Sequence, residues 1–192
     1  MADLTEQLVL ASRSPQRRAI LEQLGVEFKV ETPAVEELTE GSPRTVALEN
    51  ARRKARSVEG GRVLGVDTEV VLDGRVFGKP SGAEEAEIFL RRLSGRTHEV
   101  MSGIVLRQGG DEQSAVAVTK VRFRLLEQPD IDWYLASGEW RERAGGYAIQ
   151  GRGAALVSDI EGDYWNVVGL PVASLLSLAP ELVVGSRAAN RG

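Results

Sequence analysis

The order of apolar and polar stretches along the chain predicts alternating strands and helices. Leu8–Ala11 is a short apolar run typical of a buried strand. Ser14 and Pro15 follow it and favour a helix start, because Ser suits the N-cap and Pro suits the first helical position. Gly25 is expected to end this helix, and Phe28–Glu31 is predicted to form a second strand.

The same patterns extend over the rest of the chain. Residues 63–72 give the strongest strand signal, and Asp73-Gly74 after them is typical of a hairpin turn. The other predicted elements are a helix starting at Ser42-Pro43 with Ala47, Ala51 and Ala55 on one stripe, a return strand through Val76 and Phe77, helices over 83–93, 129–136 and 171–178, and strands over 100–107, 115–126 and 154–160. This order predicts a mixed α/β fold.

The composition is that of a globular protein with an ample core. The chain has 192 residues, 42% hydrophobic and 27% charged, which suits one large domain or two small lobes. We predict a single domain over residues 1–182 and a flexible tail over residues 183–192. The lack of cysteine excludes disulfides, a cysteine nucleophile and thiolate metal sites, as expected in a reducing compartment.

The net charge and the N-terminal residues indicate where the protein is located and what kind of ligand it binds. A net charge of −4 argues against a surface that coats nucleic acid, so basic residues near the start are expected to bind a small anion. The first residues lack a basic region and a long apolar run, and no stretch approaches the length of a membrane span. We therefore expect a cytoplasmic protein with a small-molecule ligand and without nucleic-acid or membrane partners.

The segment from Ser12 to Arg18 indicates a phosphate site. Its hydroxyls, free backbone N–H groups and at least one guanidinium gather at a helix N-terminus, where unpaired donors and the helix dipole favour an anion. An ordinary capped helix with exposed arginines would give the same pattern. The segment lacks the spacing and the Gly-Lys-Ser/Thr ending of a Walker loop.

Asp67 places a carboxylate within an apolar strand. It shares one face of the strand with Gly65 and Glu69, while Val66 and Thr68 point to the other face. A buried carboxylate without a partner is costly, so we expect a cation, a hydrogen-bond donor or a metal beside Asp67. The alternative is an edge strand with both acids facing water.

Other candidates are ambiguous when taken singly. Glu36 and Glu37 could each supply a second carboxylate for Mg²⁺ or Mn²⁺, which prefer oxygen ligands. Lys54 borders the alanine stripe and Lys79 precedes a proline, so each could be an ordinary helix-end or turn lysine. His98, the only histidine, is expected to cap a loop.

Together the motifs resemble those of the Maf family of nucleotide pyrophosphatases, also named septum-formation inhibitors. The resemblance runs in order from Leu8 to Pro171. It is carried by Leu10-Ala11-Ser12-Arg13-Ser14-Pro15-Gln16-Arg17, Lys54-Ala55, Gly65-Val66-Asp67-Thr68, Gly78-Lys79-Pro80, Leu93-Ser94-Gly95 with His98, Ala144-Gly145-Gly146-Tyr147-Ala148-Ile149-Gln150-Gly151, and Gly162-Asp163-Tyr164 with Val168-Gly169-Leu170-Pro171.

The resemblance implies an elongated mixed sheet flanked by helices, with two lobes around a central cleft, in a fold often found as a homodimer. It implies hydrolysis of a nucleoside triphosphate to the monophosphate and pyrophosphate with a divalent cation, Mg²⁺ or Mn²⁺. The carried-over roles are proton acceptor and metal ligand for Asp67, metal ligand for Glu37, catalytic charge for Lys54 and Lys79, substrate binding for Ser12, Ser14 and Arg17, and specificity for Gln16, Thr68 and Gln150.

Within the family, the segment around Gln150 resembles the branch that acts on dTTP and UTP. The Gln150 amide can donate and accept at once, which suits the edge of a pyrimidine ring. CTP or a modified pyrimidine nucleotide would fit the same reasoning. Gln16 stands where this branch usually has Arg, and a 7-methyl-GTP pyrophosphatase is the alternative substrate assignment. The alternative to an enzyme is a non-catalytic nucleotide-binding regulator of septum formation.

Overall fold

A mixed β-sheet forms the centre of the molecule. The structure, a computed structural model, describes residues 7–183. Within this range the seven strands are β1 (Leu8–Ala11), β2 (Phe28–Glu31), β3 (Arg62–Leu72), β4 (Arg75–Phe77), β5 (Thr97–Gln108), β6 (Asp111–Phe123) and β7 (Val157–Glu161). Their order is β2-β1-β3-β5-β6-β7, with β4 paired to β3. β3 is therefore a central strand, parallel to β1 and antiparallel to β5.

Helices flank the sheet, as the predicted fold class requires. In the described part of the chain they are α1 (Pro15–Gln23), α2 (Pro43–Arg56), α3 (Ala83–Leu93), α4 (Gln128–Ala136), α5 (Tyr164–Val168) and α6 (Val172–Leu178), with short 3-10 segments at Ala144–Gly146 and Arg152–Leu156. The two predicted Ser-Pro helix starts are confirmed, because Ser14 and Ser42 are the N-caps of α1 and α2. None of the helices described is long and apolar enough to cross a membrane.

Two glycines let α2 lie directly on the central strands. A Cβ atom on Gly65 of β3 would fall 2.2 Å from the Ala51 carbonyl oxygen, and one on Gly103 of β5 would fall 2.3 Å from the Ala47 carbonyl oxygen. Gly103 is also the register partner of Asp67. The close approach brings the polar residues of α2 next to Asp67.

Two large hydrophobic clusters divide the sheet along its strands. One contains Val66 and Ile104 and packs with α1 and α6. The other contains Val70 and Val100 and packs with α3 and α4. Residues 67–69 of β3 lie between the residues that the two clusters take from this strand. The cleft between two lobes stays a prediction.

Most predicted elements are confirmed, and the differences lie at their ends. The hairpin of β5 and β6 is longer than predicted at the turn, where Gln108 pairs with Asp111 around Gly109-Gly110. β7 begins at Val157 because the residues before it form a 3-10 segment. The short helix α5 was not predicted. The single domain over residues 1–182 stays a prediction, and the tail predicted over residues 183–192 lies outside the described residues apart from Val183.

Candidate active site

The centre of the candidate site is a buried ion pair between α2 and β3. Lys54 Nζ lies 2.5 Å from Asp67 Oδ1, and Asn50 Nδ2 donates to Asp67 Oδ2 at 3.3 Å. Lys54 and Asp67 are each 7% exposed. Asn50 and Lys54 are four residues apart, so they share one face of α2. The partners expected for the buried Asp67 carboxylate are thus the Lys54 ammonium and the Asn50 amide. The alternative of an edge strand is wrong, because β3 is a central strand.

Glu37 joins this pair from the segment that precedes α2. Its Oε1 lies 2.6 Å from Lys54 Nζ, so one ammonium contacts two carboxylates. Burial opposes ionisation of Glu37, but hydrogen bonding and charge from Lys54, with the charges of Lys79 and Arg17, hold its pKa below the ordinary value. Glu36 is exposed, and its backbone carbonyl accepts from Arg53.

The segment before α2 is fixed by Asn50. Its Oδ1 accepts from the Leu38 amide at 2.7 Å, and its Nδ2 donates to the Leu38 carbonyl at 3.1 Å. Asn50 therefore holds both Asp67 and the residue next to Glu37. Sequence reasoning missed Asn50, although its spacing of four residues from Lys54 on a helix was a usable signal.

Arg17 brings a second cation from α1. Its Nε donates to the Gly169 carbonyl at 2.8 Å, Nη1 to Ser12 Oγ at 3.2 Å and Nη2 to Thr68 Oγ1 at 3.2 Å. Burial lowers the pKa of Arg17, and the negative charges of Asp67 and Glu37 oppose that shift. Arg17 is therefore a fixed positive charge near the two carboxylates.

The Ser12 and Ser14 hydroxyls of the predicted phosphate site form hydrogen bonds within the protein. Ser12 Oγ accepts from the Ser14 amide at 3.1 Å in addition to Arg17. Ser14 Oγ caps α1 and donates to Gln16 Oε1 at 3.0 Å. Arg18 points away and pairs with Glu22 at 2.8 Å. The structure therefore brings Ser12, Ser14, Gln16 and Arg17 together and leaves Arg18 out.

Thr68 is linked to a residue that sequence reasoning did not single out. Its Oγ1 lies 2.8 Å from Ser102 Oγ on β5, where the two residues are register partners. Ser102 is fully buried. The Arg17 guanidinium thus rests on a hydroxyl that is itself held by the neighbouring strand.

Glu69 is a third carboxylate on the Asp67 face of β3. Burial, followed by the negative charges of Asp67 and Glu37, raises the pKa of Glu69 to about 7, with Lys54 acting in the opposite direction. Its carboxylate makes no hydrogen bond within residues 7–183. The sequence pattern placed Glu69 on this face but assigned it no role.

Lys79 and Gln150 lie at exposed positions. Lys79 Nζ is 3.1 Å from Glu142 Oε2, with both side chains largely exposed. Lys79 does not contact Asp67, yet its charge acts on Glu37, which places it on the same side of the molecule. Gln150 is exposed, and in the described part of the chain its amide has no hydrogen-bond partner.

The expectation that His98 caps a loop is wrong. His98 lies within β5, 1% exposed, and its Nε2 is 2.8 Å from Tyr147 Oη. Burial lowers its pKa to about 4, so the ring is neutral near pH 7. β5 begins at Thr97, before the predicted start at residue 100, so His98 is a strand residue whose side chain points into the core.

Asp67 and Glu37 are the carboxylate oxygen donors of the site. Within residues 7–183 no group of three or more His, Cys, Asp or Glu side chains is arranged to hold a metal ion. Asp67 and Glu37 nevertheless converge on a single ammonium. Two carboxylates without a dedicated cage suit Mg²⁺, which commonly binds through one or two carboxylates together with water and substrate phosphates.

Comparisons with known proteins show which family the chain is similar to. A family model described as Maf-like protein matches residues 7–182. A dTTP/UTP pyrophosphatase of Symbiobacterium thermophilum is 49% identical over 173 residues, covering 87% of this chain and 89% of that protein. Proteins of the same name from Thermus thermophilus and Methylococcus capsulatus are 48% and 46% identical, over 89% and 93% of this chain and 92% of each protein. The solved structure of the Staphylococcus aureus Ham1 protein matches with a TM-score of 0.44 at 16% identity, over 61% of this chain and 71% of that chain.

Proposed function

The chain belongs to the Maf family, and from this we propose that it hydrolyses dTTP and UTP to the nucleoside monophosphate and pyrophosphate. Relatives at 46–49% identity over most of the chain carry the name dTTP/UTP pyrophosphatase. The observation that supports the reaction most directly is the contact of Lys54 with both Asp67 and Glu37. These groups combine a proton acceptor with charges that can bind phosphate.

In this proposal Asp67 accepts the proton of the attacking water. Its Oδ1 and Oδ2 already accept from Lys54 and Asn50, so the carboxylate is held in one orientation. The water oxygen forms the new bond to phosphorus as its proton passes to Asp67. The phosphoanhydride bond between the α- and β-phosphates breaks, and pyrophosphate leaves with the bonding electrons.

Lys54, Lys79 and Arg17 neutralise the negative charge of the phosphates. Arg17 is positioned by three acceptors, including the Gly169 carbonyl and Thr68. Lys79 is largely exposed, and within residues 7–183 its ammonium pairs with the exposed Glu142, so it can turn toward a bound triphosphate with little cost. Positioned positive charge is the main requirement for phosphoryl transfer, because charge spreads over the phosphate oxygens.

Asp67 and Glu37 are the residues that would hold Mg²⁺ or Mn²⁺. When bound, such an ion lowers the pKa of coordinated water and neutralises phosphate charge. Lys54 contacts both carboxylates and keeps them close together. A triphosphate would then offer Lys54 new oxygen partners.

Base selection is assigned to Gln150, together with Thr68 and Gln16. The exposed Gln150 amide has no partner among the described residues, so its donor and acceptor are available for a pyrimidine edge. The same amide would serve CTP or a modified pyrimidine. Gln16 is held by Ser14 near the start of α1.

The proposal includes a cytoplasmic location, where nucleoside triphosphates are used, and assembly as a homodimer. The family resemblance supports the homodimer, and the nucleotide substrate supports the location. Sedimentation of the purified protein at several concentrations tests the dimer.

The decisive experiment is pyrophosphate release from a panel of nucleoside triphosphates with Mg²⁺ or Mn²⁺. Wild type is compared with Asp67→Asn, and Asp159→Asn on the exposed part of β7 is the matched control. We expect cleavage of dTTP and UTP by wild type and the control, and a loss of about a hundredfold or more in Asp67→Asn. Preference for 7-methyl-GTP would overturn the substrate assignment, and full activity of Asp67→Asn would overturn the mechanism.

A further inference from the structure

The segment over residues 144–152, which carries Gln150, is fixed to the protein along its whole length. Four hydrogen bonds hold it: Gly145 N to the Gly78 carbonyl at 3.1 Å, Ala148 N to Tyr134 Oη at 2.9 Å, Arg152 N to Glu139 Oε2 at 2.7 Å, and Tyr147 Oη with His98 Nε2 at 2.8 Å. Ile149 is buried, whereas Gln150 is exposed. The backbone around Gln150 is thus held while its amide stays available.

The bond between His98 and Tyr147 differs from the other three. It joins two side chains in the core, and it ties the segment directly to the central strand β5. Both rings pack edge to face on Phe123 and on each other, with centroid separations of 4.9 to 5.5 Å. The hydrogen bond between Tyr147 Oη and His98 Nε2 adds a directional constraint to this ring packing.

His98 has no other polar partner. Its Nδ1 is buried without a hydrogen bond in the part of the chain that the structure describes. A buried polar pair with one unpartnered nitrogen contributes little net stability, since apolar replacements of both partners are commonly neutral or stabilising. The pair is therefore better suited to setting geometry than to holding the fold together.

We propose that His98 and Tyr147 are positioning residues that set Gln150 for selection of the pyrimidine base. This inference rests on the proposed function. Tyr147 precedes Gln150 by three residues, and the intervening Ile149 is anchored in the same cluster as His98's neighbour Phe123. A shift of the Tyr147 ring would therefore be passed to Gln150 along a short, fixed stretch of backbone.

Tyr147→Phe tests the proposal, because it removes the hydroxyl and keeps the ring. Tyr164→Phe is the matched control, since Tyr164 is 38% exposed and its hydroxyl makes no hydrogen bond within residues 7–183. We measure kcat and KM for UTP and for GTP in both variants and in wild type. Tyr147→Phe is expected to raise KM for UTP and to lower the selectivity for UTP over GTP by roughly two- to tenfold, with little change in kcat. Tyr164→Phe should match wild type.

A double-mutant cycle with Gln150→Ala separates positioning from a general loss of structure. If Tyr147 acts through Gln150, Tyr147→Phe has no further effect on selectivity once Gln150 is alanine. His98→Gln, which keeps an N–H donor, should retain more selectivity than His98→Leu. Additive effects, or a fall in kcat without a change in KM or selectivity, would overturn the inference while Asp67-dependent UTP cleavage leaves the proposed function standing. Absence of UTP cleavage by wild type would overturn both.

Discussion

Lys54 Nζ lies 2.5 Å from Asp67 Oδ1, and the two side chains are only 9% and 10% exposed. A buried charge pair adds little net stability compared with apolar residues, but removal of one partner leaves an uncompensated charge. The same ammonium also contacts Glu37. Both the stability of the protein and the proposed chemistry therefore depend on Lys54.

Lys54→Met is expected to destabilise the protein by about 3 kcal/mol, because Asp67 would keep only the Asn50 amide as a partner. Urea unfolding at pH 7 measures the change. The double variant Lys54→Met with Asp67→Asn should regain most of the lost stability, since both members of the Lys54–Asp67 charge pair are then removed together. Both variants are expected to be inactive. Equal stability of Lys54→Met and wild type would contradict the buried pair.

Arg17→Lys should lower kcat/KM for UTP by about a hundredfold, because an ammonium cannot reproduce the fork that contacts the Gly169 carbonyl, Ser12 and Thr68. Steady-state kinetics with dTTP and UTP check this. Arg18→Lys is the matched control, since Arg18 pairs with Glu22 on the exposed face of α1. Similar losses in the two variants would show that the fork of Arg17 is not required.

Gly65→Ala tests the close approach of α2 to β3. A methyl group there would lie 2.2 Å from the Ala51 carbonyl oxygen, so α2 must move away. We expect a loss of about 2 to 3 kcal/mol in unfolding free energy, together with reduced activity, because Lys54 moves with α2. Gly82→Ala is the control, since an added Cβ there has no atom within 4 Å. An unchanged free energy of unfolding in Gly65→Ala would contradict the packing.

Local signals explain which parts of the fold were predictable. The Ser-Pro pairs determine the starts of α1 and α2 through the capping hydroxyl and the fixed proline backbone. The end of β6 was misplaced because its bulge between Arg122 and Phe123 depends on pairing with β7, which leaves no local pattern. The five-residue α5 is too short for a periodic signal.

In the site, too, features with a local sequence signal were predictable and contacts between distant elements were not. The burial of Asp67 and its need for a partner could be predicted from the apolar strand around it. The contacts of Arg17 with Thr68 and Gly169 join residues 51 and 152 positions apart, so no spacing rule reveals them. Ser102 was missed for the same reason, since it acts through Thr68 on another strand. Asn50 differs, because its spacing of four residues from Lys54 on α2 could have indicated it.

Glu69→Gln should stabilise the protein at pH 8 by up to about 3 kcal/mol, because burial and the charges of Asp67 and Glu37 hold the pKa of Glu69 at about 7, above its ordinary 4.5. At pH 8 the folded protein carries the costly ionised form. Below pH 4.5 both states are protonated, so the difference from wild type should vanish. Urea unfolding at pH 4 and pH 8 with EDTA measures it, and Glu40→Gln, at an exposed position, is the control. A gain that is the same at both pH values would contradict a raised pKa.

The buried His98 predicts a loss of stability on mild acidification. Its pKa is lowered from 6.5 to about 4 by burial, so between these values the unfolded chain binds a proton that the folded protein does not. The free energy of unfolding should fall by up to about 3 kcal/mol as the pH drops from 6.5 to 4, and no further contribution is expected below that range. His98→Gln lacks this titration while Glu69 and the other acids are retained, so the difference between wild type and variant isolates the histidine. Urea unfolding at pH 7.5, 6, 5 and 4 should show wild type losing its advantage, or becoming the less stable protein, as the pH falls. Parallel curves for the two proteins would mean that His98 takes up its proton without leaving the core.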